Sequence, residues 1–99
     1  MSDSPTILHI ELTNQSVYSW IKQNRYIIFS EIVRYSSKMI EDGIKVIQAI
    51  IVSNSHDNIV FIIKKENIKM SLEKAMDYFL EIEEYEKCSE IRDLLNKLW

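Results

Sequence analysis

The 99 residues, 46% apolar and 27% charged with a formal net charge of −3, describe one small domain with a modest core, which excludes a chain too polar to fold. A lone cysteine, Cys88, excludes an intramolecular disulfide, and the first ten residues lack the basic start and apolar run of a secretory signal, so a reducing cytoplasm is the expected compartment. No apolar stretch approaches the ~20 residues of a membrane helix; Ile27 to Phe29 and Ala49 to Val52, for example, are a few residues each.

Met1 to Pro5 is polar and predicts a loose start. Thr6 to Leu12 then alternates, with Leu8, Ile10 and Leu12 on one side and His9 and Glu11 on the other, the pattern of a half-covered strand. Asn14 or Ser16 can cap a helix, because Val17, Trp20, Ile21, Ile28, Ile32, Tyr35 and Met39 recur at helical spacing. Asn24 marks a candidate break, so the segment is one long helix or two unequal ones. Gly43, the sole glycine, is placed to end it in the left-handed conformation that costs glycine nothing.

Ile44 to Val52 and Ile59 to Lys65 are rich in β-branched residues and flank the turn formers Ser53 to Asn58, which predicts a β-hairpin. The unbroken apolar run at Ile59 to Ile63 predicts cover on one face by the long helix and partial cover on the other. The fold class is therefore α+β. Ser71 is the expected cap of the next helix, whose stripe is Leu72, Ala75, Met76, Phe79 and Leu80. A bend at Ile82 to Glu84 leads into a last helix with Tyr85, Cys88, Ile91, Leu95 and Leu98 at three- and four-residue steps, and Trp99 ends the chain. The acidic excess sits in this tail: residues 1–68 carry seven basic and seven acidic side chains, residues 69–99 five and eight.

Within that tail, Leu72 and Met76 are followed by Tyr85 and Glu86, then the small pair Cys88 and Ser89, then Ile91, Arg92, Asp93 and Leu95. Taken together, residues 72–98 resemble the UVR motif, the helical hairpin found in UvrB, in UvrC and in ClpC-type chaperone systems. Phe79 and Leu80 stand where that motif prefers small residues, and Glu83 stands where it has an apolar one. The resemblance implies a hairpin that docks on other hairpins or on a chaperone domain. It covers under a third of the chain and assigns nothing to residues 1–70.

Catalysis finds little support. A reactive cysteine needs a nearby base, and Cys88 lies instead on an apolar helical stripe. His9, His56 and Cys88 lack the paired spacing of a zinc site, and Glu81, Glu83, Glu84 and Glu86 read as a solvated helix end, so no metal, cofactor or catalytic residue is assigned. Lys22, Arg25, Tyr26, Arg34, Tyr35 and Lys38 interleave charge with aromatic rings, as nucleic-acid binders do. Yet Arg25 and Arg34, nine residues apart, fall on opposite sides of a continuous helix.

The sequence reading is thus a non-enzymatic α+β adaptor that binds a protein partner through its C-terminal hairpin, with Tyr78, Tyr85, Arg92, Asp93 and Trp99 as contact residues. Self-association through the hairpin or the long helix is a further expectation. Two alternatives stand beside it: a small phage or mobile-element inhibitor of a host enzyme or defence complex, of the anti-CRISPR type, and a nucleic-acid-binding regulator using Lys22 to Lys38.

Overall fold

A computed structural model describes residues 8–98 of the chain. The polar start, Thr6 and Ile7 of the expected strand, and Trp99 lie outside the described residues. Element order is β1 (Leu8–Glu11), α1 (Val17–Gln23), α2 (Arg25–Asp42), β2 (Val46–Ser53), β3 (Asn58–Lys64), α3 (Ile68–Glu81) and α4 (Tyr85–Lys97), with a single 3-10 turn at Lys65–Asn67. This is a mixed α+β fold.

The three strands form one sheet in the order β1-β2-β3. β1 runs parallel to β2, so the chain between them must cross over the sheet, and α1 and α2 are that crossover. β2 and β3 are an antiparallel hairpin whose turn is held by Asn54, its side-chain oxygen accepting from the backbone N–H groups of His56 and Asp57. A bulge between Gln48 and Ile50 lets Ala49 and Ile50 both point inward, which adds an apolar side chain to the covered face.

Helix boundaries follow from named residues. The Ser16 hydroxyl accepts from the Ser19 N–H at the start of α1. Asn24 separates α1 from α2, its side chain donating to the Trp20 carbonyl, so the two-unequal-helices reading is the observed one. Gly43 ends α2 at φ 68°, in the left-handed region anticipated for it. The expected Ser71 cap is corrected: α3 begins at Ile68, because the 3-10 turn hands the chain straight into the helix and buried Ile68 fixes its first turn.

The core is one connected cluster. Ile28, Val33, Tyr35 and Met39 of α2 meet Ile47, Ala49, Ile50 and Val52 of β2, Ile63 of β3, and the stripes Ile68, Leu72, Ala75, Phe79 of α3 and Cys88, Ile91, Leu94 of α4. Leu94 is the stripe position that the last-helix reading omitted; Tyr85, included in that reading, is exposed. The helices cover only one face of the sheet. On the other, Val46, Val60 and Ile62 are exposed among the described residues, so the partial second cover expected from the Ile59 to Ile63 run is absent there.

Ser36 is fully buried on α2 and its hydroxyl has no hydrogen-bond partner among the described residues. A buried unsatisfied hydroxyl costs stability, and alanine is the better helix former. Ser36→Ala is therefore expected to raise the free energy of unfolding by about 1 kcal/mol in urea titration, whereas Ser36→Leu overfills the site and lowers it by about 1–3 kcal/mol.

Candidate protein-binding surface

The C-terminal hairpin is held from two sides. Its inner stripe is consumed in the core, and Cys88 fits the crossing of α3 and α4 because it is small; its thiol donates to the Met76 carbonyl at 3.9 Å. Ser89, the other member of the small pair, is exposed instead, because one residue further along a helix is a turn of about 100°. The second attachment is aromatic. Tyr78 stacks on Phe29 with centroids 4.9 Å apart, Tyr26 meets Phe79 edge-on at 5.6 Å, and the Arg25 guanidinium lies over the Tyr78 ring at 4.8 Å.

The helix connection is a Schellman turn. Glu84 N–H bonds the Phe79 carbonyl at 2.8 Å and Glu83 N–H bonds the Leu80 carbonyl at 3.1 Å, with Glu83 itself at φ 62°. A side chain in this conformation costs roughly 1–2 kcal/mol that glycine avoids. The turn throws Leu80, Ile82 and Tyr85 outward, Tyr85 with 62% of its surface exposed, and Glu81, Glu83 and Glu86 surround them. Tyr26 reaches the same place from α2, its hydroxyl donating to Glu84 Oε1 at 3.4 Å. The result is an apolar tip with an acidic rim.

Of the predicted contact residues, Tyr85 and Arg92 are exposed two turns apart on one face of α4, with small Ser89 between them and Asp93 on the adjoining face. Neither Arg92 nor Asp93 makes an ion pair among the described residues. Tyr78 is half-buried in the aromatic seam, and Trp99 lies outside the described residues. Leu80 and Ile82 are the surface residues that sequence reasoning missed. The signal for Leu80 was present: Leu72, Ala75 and Phe79 already complete a stripe at steps of three and four, which leaves Leu80 a further 100° round the helix.

The basic residues of α2 are exposed but each contacts another side chain of the same chain. Tyr35 is fully buried, Arg34 lies over its ring at 4.5 Å and pairs with Glu31 at 2.6 Å, and Lys38 pairs with Asp42 at 3.1 Å. The Glu31 hydrogen bond is the main cause that holds the Arg34 guanidinium above its ordinary pKa. A shallow cleft of about 300 Å³ is lined by Arg34, Tyr35, Ser37, Lys38 and Glu41. His9 is on β1 beside Glu11, His56 is in the hairpin turn and Cys88 is between helices; no cluster of three or more metal-ligating side chains occurs among the described residues. No described helix is long and apolar enough to cross a membrane. No protein-family model, curated protein or solved structure matches the chain.

Two outcomes test this geometry. Glu83→Gly relieves the left-handed strain and is expected to raise stability by about 0.5–1 kcal/mol, measured by thermal unfolding, while Glu83→Val lowers it. The Tyr26 phenol is held above its ordinary 10.0, first by desolvation and then by the Glu84 carboxylate that opposes a second negative charge. The folded chain thus holds this proton more tightly than the unfolded one. The associated stability is complete below pH 10.0 and is lost as pH rises through the raised value. Ultraviolet titration of wild type minus Tyr26→Phe follows it, and Glu84→Gln is expected to move the transition down.

Proposed function

We propose that this protein is a non-enzymatic adaptor that binds a protein partner through the tip and outer face of its C-terminal hairpin. One observation carries the reading. Leu80, Ile82 and Tyr85 are large apolar side chains exposed together at a turn fixed by two backbone hydrogen bonds and anchored by an aromatic seam. An apolar centre with a polar rim is the composition of a specific protein interface, and a rigid one loses little entropy on binding. The resemblance of residues 72–98 to the UVR hairpin points the same way. In that register Tyr85 and Glu86 hold the place of the family's Phe-Glu, and Arg92 and Asp93 that of its Arg-Asp.

The charge around the tip states what kind of partner fits. Glu81, Glu83, Glu84 and Glu86 flank it in the chain, and Arg92 lies two turns from Tyr85 along the outer face of α4. A basic partner surface with an apolar pocket complements this, and the acidic rim sets on-rate and selection more than affinity. The inhibitor alternative would use the same surface. Nucleic-acid binding is disfavoured, since Arg25, Arg34 and Lys38 are occupied by Tyr78, Glu31 and Asp42.

Affinity capture from the native host with wild-type chain and with an Ile82→Ala, Tyr85→Ala double variant tests the reading. Hot-spot truncations at a buried interface centre cost about 2 kcal/mol or more each, so the double variant is expected to lose the partner while keeping its unfolding midpoint. Arg92→Ala is expected to weaken retention less and to alter its salt dependence. Retention unchanged by all three substitutions contradicts the hairpin as the interface.

A further inference from the structure

The outer edge of β3 is open. β3 pairs only with β2 among the described residues, and its length Asn58–Lys64 contains no proline, no bulge and no charge between its ends. Natural edge strands are normally blunted by one of those devices, because a row of free N–H and C=O groups beside apolar side chains is a template for further pairing. The hydrogen bonds locate that row. Lys65 donates to the Lys45 carbonyl at one end of the hairpin and Asn54 to the Asp57 carbonyl at the other. Because antiparallel residues alternate between bonding inward and outward, Asp57, Ile59, Phe61, Ile63 and Lys65 bond towards β2. Asn58, Val60, Ile62 and Lys64 turn their backbone groups out.

We propose that this edge pairs with the same edge of a second copy, in antiparallel register about a two-fold axis at Phe61, to give a continuous six-stranded sheet. The sequence of the strand is the argument. Asn58-Ile59-Val60-Phe61-Ile62-Ile63-Lys64 is nearly symmetric about its centre in side-chain type. Pairing it with itself sets Val60 against Ile62 of the second copy on the open face, and Ile59 against Ile63 on the helix face. Val60 and Ile62, exposed by 37% and 51% in the single chain, cover each other.

The ends of the strand are complementary in the same register. Asp57 falls opposite Lys65 and Asn58 opposite Lys64, twice over by symmetry, and none of Asp57, Lys64 and Lys65 has an ion pair within the chain among the described residues. The outward-bonding residues also meet in register: Asn58 with Lys64 and Val60 with Ile62 are hydrogen-bonded pairs, and Phe61 meets itself in a non-bonded pair. A shift by two residues keeps the backbone bonds but sets Asn58 against Ile62 in one direction and Lys64 against Val60 in the other. A two-fold interface of this kind is closed and adds no new edge in the middle of the sheet. The inference does not depend on what the hairpin binds.

Sedimentation equilibrium over the micromolar range, with cross-linking at the axis, tests the inference. Wild type is expected to show the mass of two chains. Val60→Lys with Ile62→Lys sets like charges against each other and is expected to return the mass of one chain. Asp57→Lys alone is expected to weaken the dimer at least tenfold, and adding Lys65→Asp is expected to restore it, a rescue that only this register gives. In a Cys88→Ala background, Phe61→Cys is expected to form an intermolecular disulfide, because non-bonded antiparallel pairs place Cα atoms about 4.5 Å apart. Ile59→Cys and Ile63→Cys are expected to remain reduced under the same oxidant. A wild-type chain of monomer mass throughout the range overturns the proposal. So does a dimer that survives the paired lysines, or one that cross-links at position 59 or 63 and not at 61, since another surface or an extended segment from a different protein would then own the edge.

Discussion

Phe79 has no surface left in contact with water, and it meets the rings of Tyr26 and Tyr78 at 5.6 and 5.2 Å. Tyr78 in turn stacks on Phe29 and carries the Arg25 guanidinium on its other contact. This seam joins the start of α2 to the end of α3, the two ends that the sheet itself does not hold. Without it the hairpin would be held to the domain only through its inner stripe, Ile68, Leu72 and Ala75 of α3 with Cys88, Ile91 and Leu94 of α4, which leaves the tip itself unanchored. Aromatic pairs of this geometry contribute about 0.5–1.5 kcal/mol each beyond the area they bury. Their directional preference also fixes the angle at which the tip projects. Rigidity at the tip and cohesion of the core therefore come from the same few rings.

The elements that could be read in the sequence were those whose signal is local. Gly43 ended a helix because of its backbone freedom, Ser53 to Asn58 formed a turn because Asn54 can cap backbone N–H groups, and Asn24 split two helices because its amide reaches back to Trp20. What the sequence did not disclose was set by long-range packing. Ser71 has the chemistry of a cap, but the cap position was taken earlier because burial of Ile68 begins the helix one turn sooner. Tyr78 looks like a contact residue in sequence, and only the position of Phe29, nearly fifty residues away, turns it into a seam residue. Ser89 looked like a partner of Cys88 until the rotation between neighbours on a helix put one inside and the other out.

The β3 run illustrates the same limit in a strand. Five consecutive apolar residues read equally well as a strand covered on both faces or as one covered on a single face and paired along its edge. The bulge at Ala49 and Ile50 draws two successive residues of β2 to the helix side, while Val60 and Ile62 of β3 stay exposed on the other face. The apolar excess of β3 on that face, Val60 and Ile62, is left uncovered among the described residues of one chain.

If a second copy accounts for it, the geometry of the hairpin acquires a consequence. α3 follows β3 after the three-residue turn Lys65–Asn67 and runs for 14 residues, about 21 Å, before the tip. A two-fold axis at Phe61 then sends two hairpins from one rigid sheet, each anchored by its own aromatic seam and neither needing a flexible linker. A partner with two copies of the matching pocket would meet both tips at once, and the second contact would form at an effective concentration far above that of free chains. A small apolar tip, weak as a single interface, becomes sufficient when it is presented twice at fixed spacing. The exposed strand edge and the exposed tip are then parts of one arrangement: pairing along the edge fixes the spacing, and the seam fixes the direction.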